Sequence, residues 1–321
     1  MMKILFVCSG NNNRISPFIK AQGESLANQG IDIKYFLVMK PGITGYIQEA
    51  IRLRRFLRDN RIDIIHAHYS LCGWCAVLAF SGIPIVLSLM GDDANGTYKA
   101  PGKKTFLSRL LILTSCLIQP FVDRIICKSA YMQRIVFNKK KMAMIPNGIA
   151  LNDVCLLDKQ EQKKRLGLDI SIKYVLFLGN TKDVNKNFPL LERAFEFIKS
   201  EDIHLLAPYP IEHKQVIQYL NAVDMLVVPS LMEGSPNVVK EAMACNTSVV
   251  ATDVGDIRWL FGEEKGYYIT EHTVESLTAK MKEALGFTEK YGRTNGRKRI
   301  MDLELDSASV AKKIISLYKQ L

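Results

Sequence analysis

Short apolar runs alternate with amphipathic stretches along almost the whole chain, and this rhythm constrains the fold more than any other feature. The runs are Lys3–Cys8, Asp32–Met39, Ile62–His66, Ile83–Leu89, Arg124–Lys128 and Met142–Ile145, then Tyr174–Leu178, Ile203–Leu206, Met225–Val228, Ser248–Ala251 and Tyr267–Ile269. Between them lie helical patterns such as Pro17–Gln29 and Tyr46–Asn60. A β-α-β-α order is satisfied by parallel sheets with helices on both faces. With 321 residues, each half is long enough for its own sheet. The predicted fold is α/β, with two Rossmann-like, doubly wound domains facing a central cleft. Ligands belong at the carboxyl ends of the strands.

The seam is placed after Ile145-Pro146-Asn147-Gly148-Ile149, where Pro and Asn-Gly end the last strand of the first half. The expected domains are residues 1–150 and 151–305. The closing amphipathic helix, within 306–321, either returns to the first domain or stays on the second, and the sequence leaves both open. All of the surplus charge sits in the first half. Residues 1–160 hold 21 Lys/Arg against 10 Asp/Glu, whereas residues 161–321 hold 22 of each. A basic half beside a neutral half points to a polyanion: an anionic lipid surface, nucleic acid, or a phosphate-bearing substrate.

Other classes are excluded on simple grounds. A hydrophobic share of 48% with 23% charged residues is that of a globular chain, not a disordered one. Seven scattered cysteines read as reduced thiols of a cytoplasmic protein. The apolar run at the N-terminus is too short for a secretory signal. Residues 64–91 carry no Lys, Arg, Asp or Glu, but Ser81-Gly82-Ile83-Pro84 splits them into a helix and a strand rather than a span. Phe106–Val122 is apolar but broken by Arg109 and Pro120, and it reads as a core helix in preference to an interfacial one.

The segment Pro229–Ala244 carries the most chemistry. A buried strand ends at Pro229, a loop holds Glu233 and Gly234, and Ser235 is expected to cap a helix that begins at Pro236. Asn237 and Val238 then lie in its first turn. Such a helix end offers N–H groups and a positive dipole to a diphosphate. Glu233 and Glu241 can each accept hydrogen bonds from vicinal hydroxyls, one set on a sugar and one on a ribose.

This stretch resembles the Glu-x7-Glu signature of the family 4 retaining glycosyltransferases of the GT-B fold, and within them the bacterial enzymes of surface-polysaccharide assembly. Ala222-Val223-Asp224, Glu241-Ala242-Met243-Ala244 and Val249–Asp256 fit the same pattern, as does Ile145-Pro146-Asn147-Gly148 at the interdomain strand end. The resemblance implies a nucleoside-diphosphate sugar held by the second domain and a lipid-linked or saccharide acceptor held by the first. It implies that Glu241 holds the ribose, Glu233 the sugar, and the backbone near Gly234 and Ser235 the phosphates. After strand Tyr174–Leu178 comes a second phosphate element, Gly179–Phe188, where the family has Gly-Arg and then Lys-Gly. Lys186 matches the Lys. Asn180 stands for the Arg and Asn187 for the Gly, so the second cation falls to Lys182 or is missing. The turn carrying Tyr209 and Ile211 is assigned to the base. With no Asp-x-Asp triplet, no metal or other cofactor is expected, and lysine and helix end must carry the diphosphate charge.

On the acceptor side, Met90-Gly91-Asp92-Asp93 resembles the family's His-Gly-x-Asp turn with Met in place of His, which leaves Asp93 as the catalytic candidate beside Lys186 and Glu233. Gly10, Asn11 and Arg14 follow the first strand and are expected to meet acceptor. His68 and its neighbour His66 either line that cleft or serve as hydrogen-bonded core residues. Two motifs compete. Cys8-x5-Arg14 resembles low-molecular-weight tyrosine phosphatases, but Ile15 replaces their Ser and the chain has no Asp-Pro. Cys72-Gly73-Trp74-Cys75 mimics a redox pair without the context of one. Nucleic-acid binding has charge alone in its favour and is not expected. The remaining alternatives are a nucleotide-sugar epimerase of the same fold and a non-enzymatic basic binding protein.

Overall fold

A computed structural model describes residues 1–10, 14–40, 42–100 and 102–321. The chain divides into two compact units. Unit 1 comprises Met1–Gly96, Lys104–Gly148 and Ser307–Leu321, and unit 2 comprises Thr97–Lys103 and Ile149–Asp306.

Unit 1 alternates β1 (Lys3–Ser9), α1 (Pro17–Ala27), β2 (Asp32–Val38), α2 (Gly42–Asp59), β3 (Ile64–His68), α3 (Ser70–Leu78), β4 (Ile85–Ser88) and the short α4 (Asp92–Asn95). A small ribbon, β5 (Tyr98–Ala100) with β6 (Lys103–Lys104), precedes α5 (Phe106–Leu117), β7 (Arg124–Cys127) and β8 (Met142–Met144). The large strands form one sheet in the order β2-β1-β3-β4-β7-β8. Every pairing in it is parallel, from Lys3 opposite Asp32 to Cys127 opposite Met144. Strands covered on both faces read as continuous apolar runs, and this is why Ile4–Cys8 and Ile85–Leu87 are buried without alternation.

Unit 2 repeats the plan with α6 (Lys159–Arg165), β9 (Lys173–Leu176), α7 (Phe188–Phe195), β10 (Ile203–Leu206), α8 (His213–Ala222), β11 (Met225–Val228), α9 (Asn237–Ala244), β12 (Ser248–Thr252), α10 (Ile257–Phe261), β13 (Tyr267–Thr270), α11 (Val274–Tyr291) and α12 (Gly296–Asp302). Its sheet is parallel in the order β10-β9-β11-β12-β13. Strand order therefore reverses between β1 and β3 in unit 1 and between β9 and β11 in unit 2. Loops leaving these paired strands diverge and open a crevice, the usual ligand position of a doubly wound sheet.

All eleven strands expected from the sequence are present, each within a few residues of its expected ends. The β5–β6 ribbon was not expected, since its strands of three and two residues carry no periodicity. The core expectation for Phe106–Val122 is wrong. Phe106 is 84% and Leu113 51% exposed, while Ser108 and Ser115 face inward. An apolar stripe reports amphipathicity but not which side meets the core.

The last helix, α13 (Ser307–Tyr318), lies in unit 1. Ser25 Oγ donates to the Ser307 carbonyl at 2.6 Å. Tyr318, fully buried, hydrogen-bonds His66 Nδ1, and His66 Nε2 lies 2.8 Å from Ser88 Oγ. The His66 ring is thus satisfied at both nitrogens, whereas neither ring nitrogen of the equally buried His68 has a hydrogen-bond partner among the described residues. Tyr318→Phe keeps the packing and strands His66 Nδ1, so we expect a loss of about 1–3 kcal/mol in urea unfolding, at unchanged denaturant slope.

Candidate active site

In unit 2 the polar side chains converge on the loops that leave β9 and β11. Gly179–Asn187 is a chain of local turns. Asn180 Oδ1 accepts from the Lys182 N–H at 3.0 Å, Asp183 Oδ1 from Asn185 N–H at 2.9 Å, and residues 184–186 make one 3-10 turn. The turn ends at Asn187 in the left-handed region, φ 51°. Asn tolerates that conformation better than most residues, which explains how it can stand where the resembling family has Gly. Two bonds stitch the loop to its neighbour. Leu231 N–H donates to the Asn185 carbonyl at 2.7 Å, and Asn187 Nδ2 donates to the Pro229 carbonyl at 3.2 Å.

This stitching brings Lys186 and Glu233 together, with Nζ 2.7 Å from Oε1. Ser230 Oγ donates to the same oxygen at 2.8 Å. Ser230 is itself fixed, because its carbonyl accepts from Thr252 Oγ1 at 2.6 Å and lies 3.0 Å from His272 Nε2. The pair is partly open, with 30% of the Lys186 side chain and 15% of Glu233 exposed. An ammonium has three protons, so those not taken by Glu233 remain for anionic oxygens.

The expected cap is not made. The helix starts at Asn237, one residue after Pro236, and Ser235 Oγ instead donates to Asp256 Oδ2 at 2.6 Å. The hydroxyl gives its proton to the buried carboxylate and turns its oxygen to the Lys240 ammonium, so that oxygen does not accept from the helix amides as a cap would. Lys240 Nζ donates to Ser235 Oγ at 3.0 Å. Burial pushes this lysine down to about 8 and raises the Asp256 carboxyl, which the lysine charge opposes. Gly255, at φ 62°, lies so close that a Cβ there would sit 2.8 Å from the Gly234 carbonyl oxygen. Gly234 and Ser235 are thereby held from the β12 side. Asn237 and Val238 form the first turn of α9, and Asn237 Oδ1 is buried without a hydrogen-bond partner.

Glu241, on the second turn of α9, is bonded to a residue that sequence reasoning missed. His213 Nε2 lies 2.9 Å from Glu241 Oε1, and that bond raises the imidazole pKa. No motif marks His213; it opens α8, which follows the neighbouring strand β10. Tyr209 and Ile211 precede it on the same loop, with Tyr209 exposed. Asn180 and Lys182 are exposed as well. A cavity of about 510 Å³ lined by Glu263, Phe287, Tyr291 and Arg293 opens elsewhere in unit 2, beside the amino end of β13. It lies on the wrong edge of the sheet for a doubly wound site.

Two of the acceptor-side expectations in unit 1, Asp93 and His68, fall on buried side chains. Asp93 is fully buried and accepts from Ser70 N–H at 3.0 Å, Met90 N–H at 2.8 Å and Gly91 N–H at 3.1 Å. Burial raises it to about 6 against the pull of those amides. It ties the β3 and β4 loop ends together, with no exposed surface of its own. Asp92 is exposed beside it. His68 is 1% exposed and stacks on His66 with ring centroids 4.3 Å apart, so it is a core residue here. Gly10 is buried and donates to the Val38 carbonyl at 2.9 Å, Arg14 is exposed, and Asn11 lies outside the described residues. Cys8 is buried and burial pushes its thiol up to about 11, the opposite of the accessible, lowered thiol that the phosphatase reading calls for. Cys72 and Cys75 are buried and raised too.

Three comparisons bear on these units. The model of Glycosyltransferase Family 4 matches residues 14–153, and that of Glycosyl transferases group 1 matches residues 208–286. The chain is 28% identical to the putative teichuronic acid biosynthesis glycosyltransferase TuaC of Bacillus subtilis, over 68% of this chain and 60% of that protein. It spans about three fifths of the length of the first curated relatives it matches. Among solved structures, sucrose-phosphate synthase from Thermosynechococcus elongatus gives a TM-score of 0.83 at 18% identity, covering 100% of this chain and 99% of that one. Anabaena HepE in complex with UDP-glucose gives 0.77 at 14%, covering 100% of both.

Two outcomes follow from the buried charges. Lys240→Met leaves Asp256 buried without its cation, and urea unfolding should show a loss of about 3 kcal/mol. Burial holds His68 near 3 in the folded state against 6.5 when free. Between these values the unfolded chain binds more protons. Stability present above pH 6.5 should therefore fall as pH drops toward 3. The His68 contribution to the slope is about 1.4 kcal/mol per pH unit, measurable by denaturation across that range and absent in His68→Phe.

Proposed function

We propose that this chain, which belongs to the family 4 glycosyltransferases of the GT-B fold, moves a sugar from a nucleoside diphosphate to a hydroxyl of a lipid-linked or saccharide acceptor, with retained configuration. The observation that carries the reading is the Lys186–Glu233 pair at the strand-order reversal of unit 2, beside the start of α9. The diphosphate lies against the Lys186 ammonium and the α9 N–H groups, with Lys182 within the same loop. Glu241 takes the ribose hydroxyls and Glu233 those of the sugar. The loop with Tyr209 and Ile211 flanks the base.

In the reaction, the bond from the anomeric carbon to the diphosphate oxygen breaks and that to the acceptor oxygen forms. The acceptor proton leaves with the phosphate. Negative charge grows on the departing oxygens as the bond lengthens, so a fixed cation there stabilises the transition state more than the ground state. Front-face attack fits the polar surroundings of Glu233, whose Oε1 already accepts from both Lys186 and Ser230. Similarity to TuaC supports a place in surface-polysaccharide synthesis, and that of HepE to this fold supports a nucleotide sugar as donor. The basic first half supports a peripheral hold on the inner face of an anionic membrane.

The test is a thermal-shift panel of nucleoside diphosphates and their sugars, followed by mass spectrometry of acceptor products. The right nucleotide at a hundred times its Kd should stabilise by about 2.7 kcal/mol. Lys186→Ala should cut kcat by about 10²–10³ at nearly unchanged Tm, and Glu241→Ala should mainly weaken donor binding. Free nucleoside diphosphate without a glycosylated product would overturn transfer in favour of hydrolysis or epimerisation.

A further inference from the structure

Helix α5 carries its apolar side outward. Phe106, Leu110, Leu113 and Leu117 recur at helical spacing and are 84%, 48%, 51% and 55% exposed, with Leu107 at 72%. The opposite side is seated on unit 1, where Trp74 Nε1 donates to the Thr114 carbonyl at 3.0 Å and Ser108 and Ser115 are buried. Twelve residues make a ridge about 18 Å long. Phe121, 58% exposed, continues it into the following turn. The segment 135–141 is tied to that end of the helix. Gln119 Nε2 donates to the Ile135 carbonyl at 2.7 Å, Phe137 N–H to Gln119 Oε1 at 2.9 Å, and Lys141 Nζ to the Val122 carbonyl at 2.8 Å. The tie sets Phe137, 72% exposed, and the exposed Lys139 and Lys140 beside the ridge. An outward ridge of large apolar side chains on this scale marks an interaction surface.

Charge selects its occupant. Within unit 1, residues 104–148 contain Lys104, Arg109, Arg124, Arg134, Lys139, Lys140 and Lys141 outside the core, against Asp123 alone. A second copy would set like charges against each other. A bilayer with anionic headgroups satisfies both features at once, by taking phenyl and leucyl groups at the acyl boundary and placing phosphates against lysine and arginine. We propose that the outward face of α5, with Phe121, Phe137 and Lys139–Lys141, docks this protein on an anionic lipid surface. The assignment rests on the peripheral-membrane part of the reading above and is independent of the transfer chemistry.

The experiment sediments the full chain with vesicles of phosphatidylcholine alone, or of equal parts phosphatidylcholine and phosphatidylglycerol, at low and high salt. Wild-type protein should bind the anionic vesicles, more weakly in high salt. Combining Phe106→Ser, Leu110→Ser and Leu113→Ser should weaken binding by about tenfold or more, as should combining Lys139→Gln with Lys140→Gln. All five positions are exposed, so Tm and any nucleotide-induced thermal shift should stay as in wild type. Wild-type binding to neither vesicle, or triple-variant binding equal to wild type, overturns the proposal. So does a wild-type dimer that dissociates in the triple variant, since the ridge would then be a self-interface. Loss of the nucleotide-induced shift with vesicle binding intact would instead count against the transferase reading alone.

Discussion

The chemistry of unit 2 depends on one constraint, the reversal of strand order between β9 and β11. Chains leaving the two strands must turn to opposite faces of the sheet, and the gap between them is lined by whatever their first loops carry. Here one loop carries a lysine and the other a glutamate. Main-chain bonds from Leu231 to Asn185 and from Asn187 to Pro229 fix the distance between them. The ion pair is a product of that stitching, so its position is inherited from the backbone and not from the two flexible side chains. This is the preorganisation that a site for a charged leaving group requires.

Behind the open pair stands a closed one. Ser235 bridges Lys240 and Asp256, and all three lie under the turn that leads into α9. Burying two charges is costly, and a hydrophobic replacement of the same shape can be as stable. The arrangement gives direction: the lysine, the hydroxyl and the carboxylate each accept one geometry, and together they aim the Gly234–Ser235 backbone. Asp93 does the same in unit 1 with three amides instead of a lysine. The two units thus hold their loop ends with buried carboxylates, by different partners.

The strand pattern was legible because parallel strands covered on both faces leave short continuous apolar runs, set apart here by turn residues and the amphipathic stretches between them. Glu233 and Glu241 stood out through the loop and helix start that carry them, and Lys186 through the family resemblance; the structure brings Lys186 and Glu233 together. What stayed hidden was direction. Nothing in the residues near Asp93 says whether its carboxyl turns inward or outward, and only the placement of three amides decides it. His68 ends a strand at the ligand edge, yet its ring turns into the core against His66. The apolar stripe of α5 has the periodicity of a core helix, and the inversion shows only in its buried serines. His213 carries no motif, because its partner lies on another helix and only the packing of the two brings it to Glu241.

His66 and Tyr318 are separated by 252 positions in the chain and by one hydrogen bond in space. A ribosome delivers β3 early and α13 only after all of unit 2 has emerged. The second unit can therefore complete its sheet while the first still has an imidazole without a partner and a surface beside α1 uncovered. During synthesis unit 1 therefore cannot make its His66–Tyr318 bond until unit 2 has been translated, although most of its sheet is delivered first.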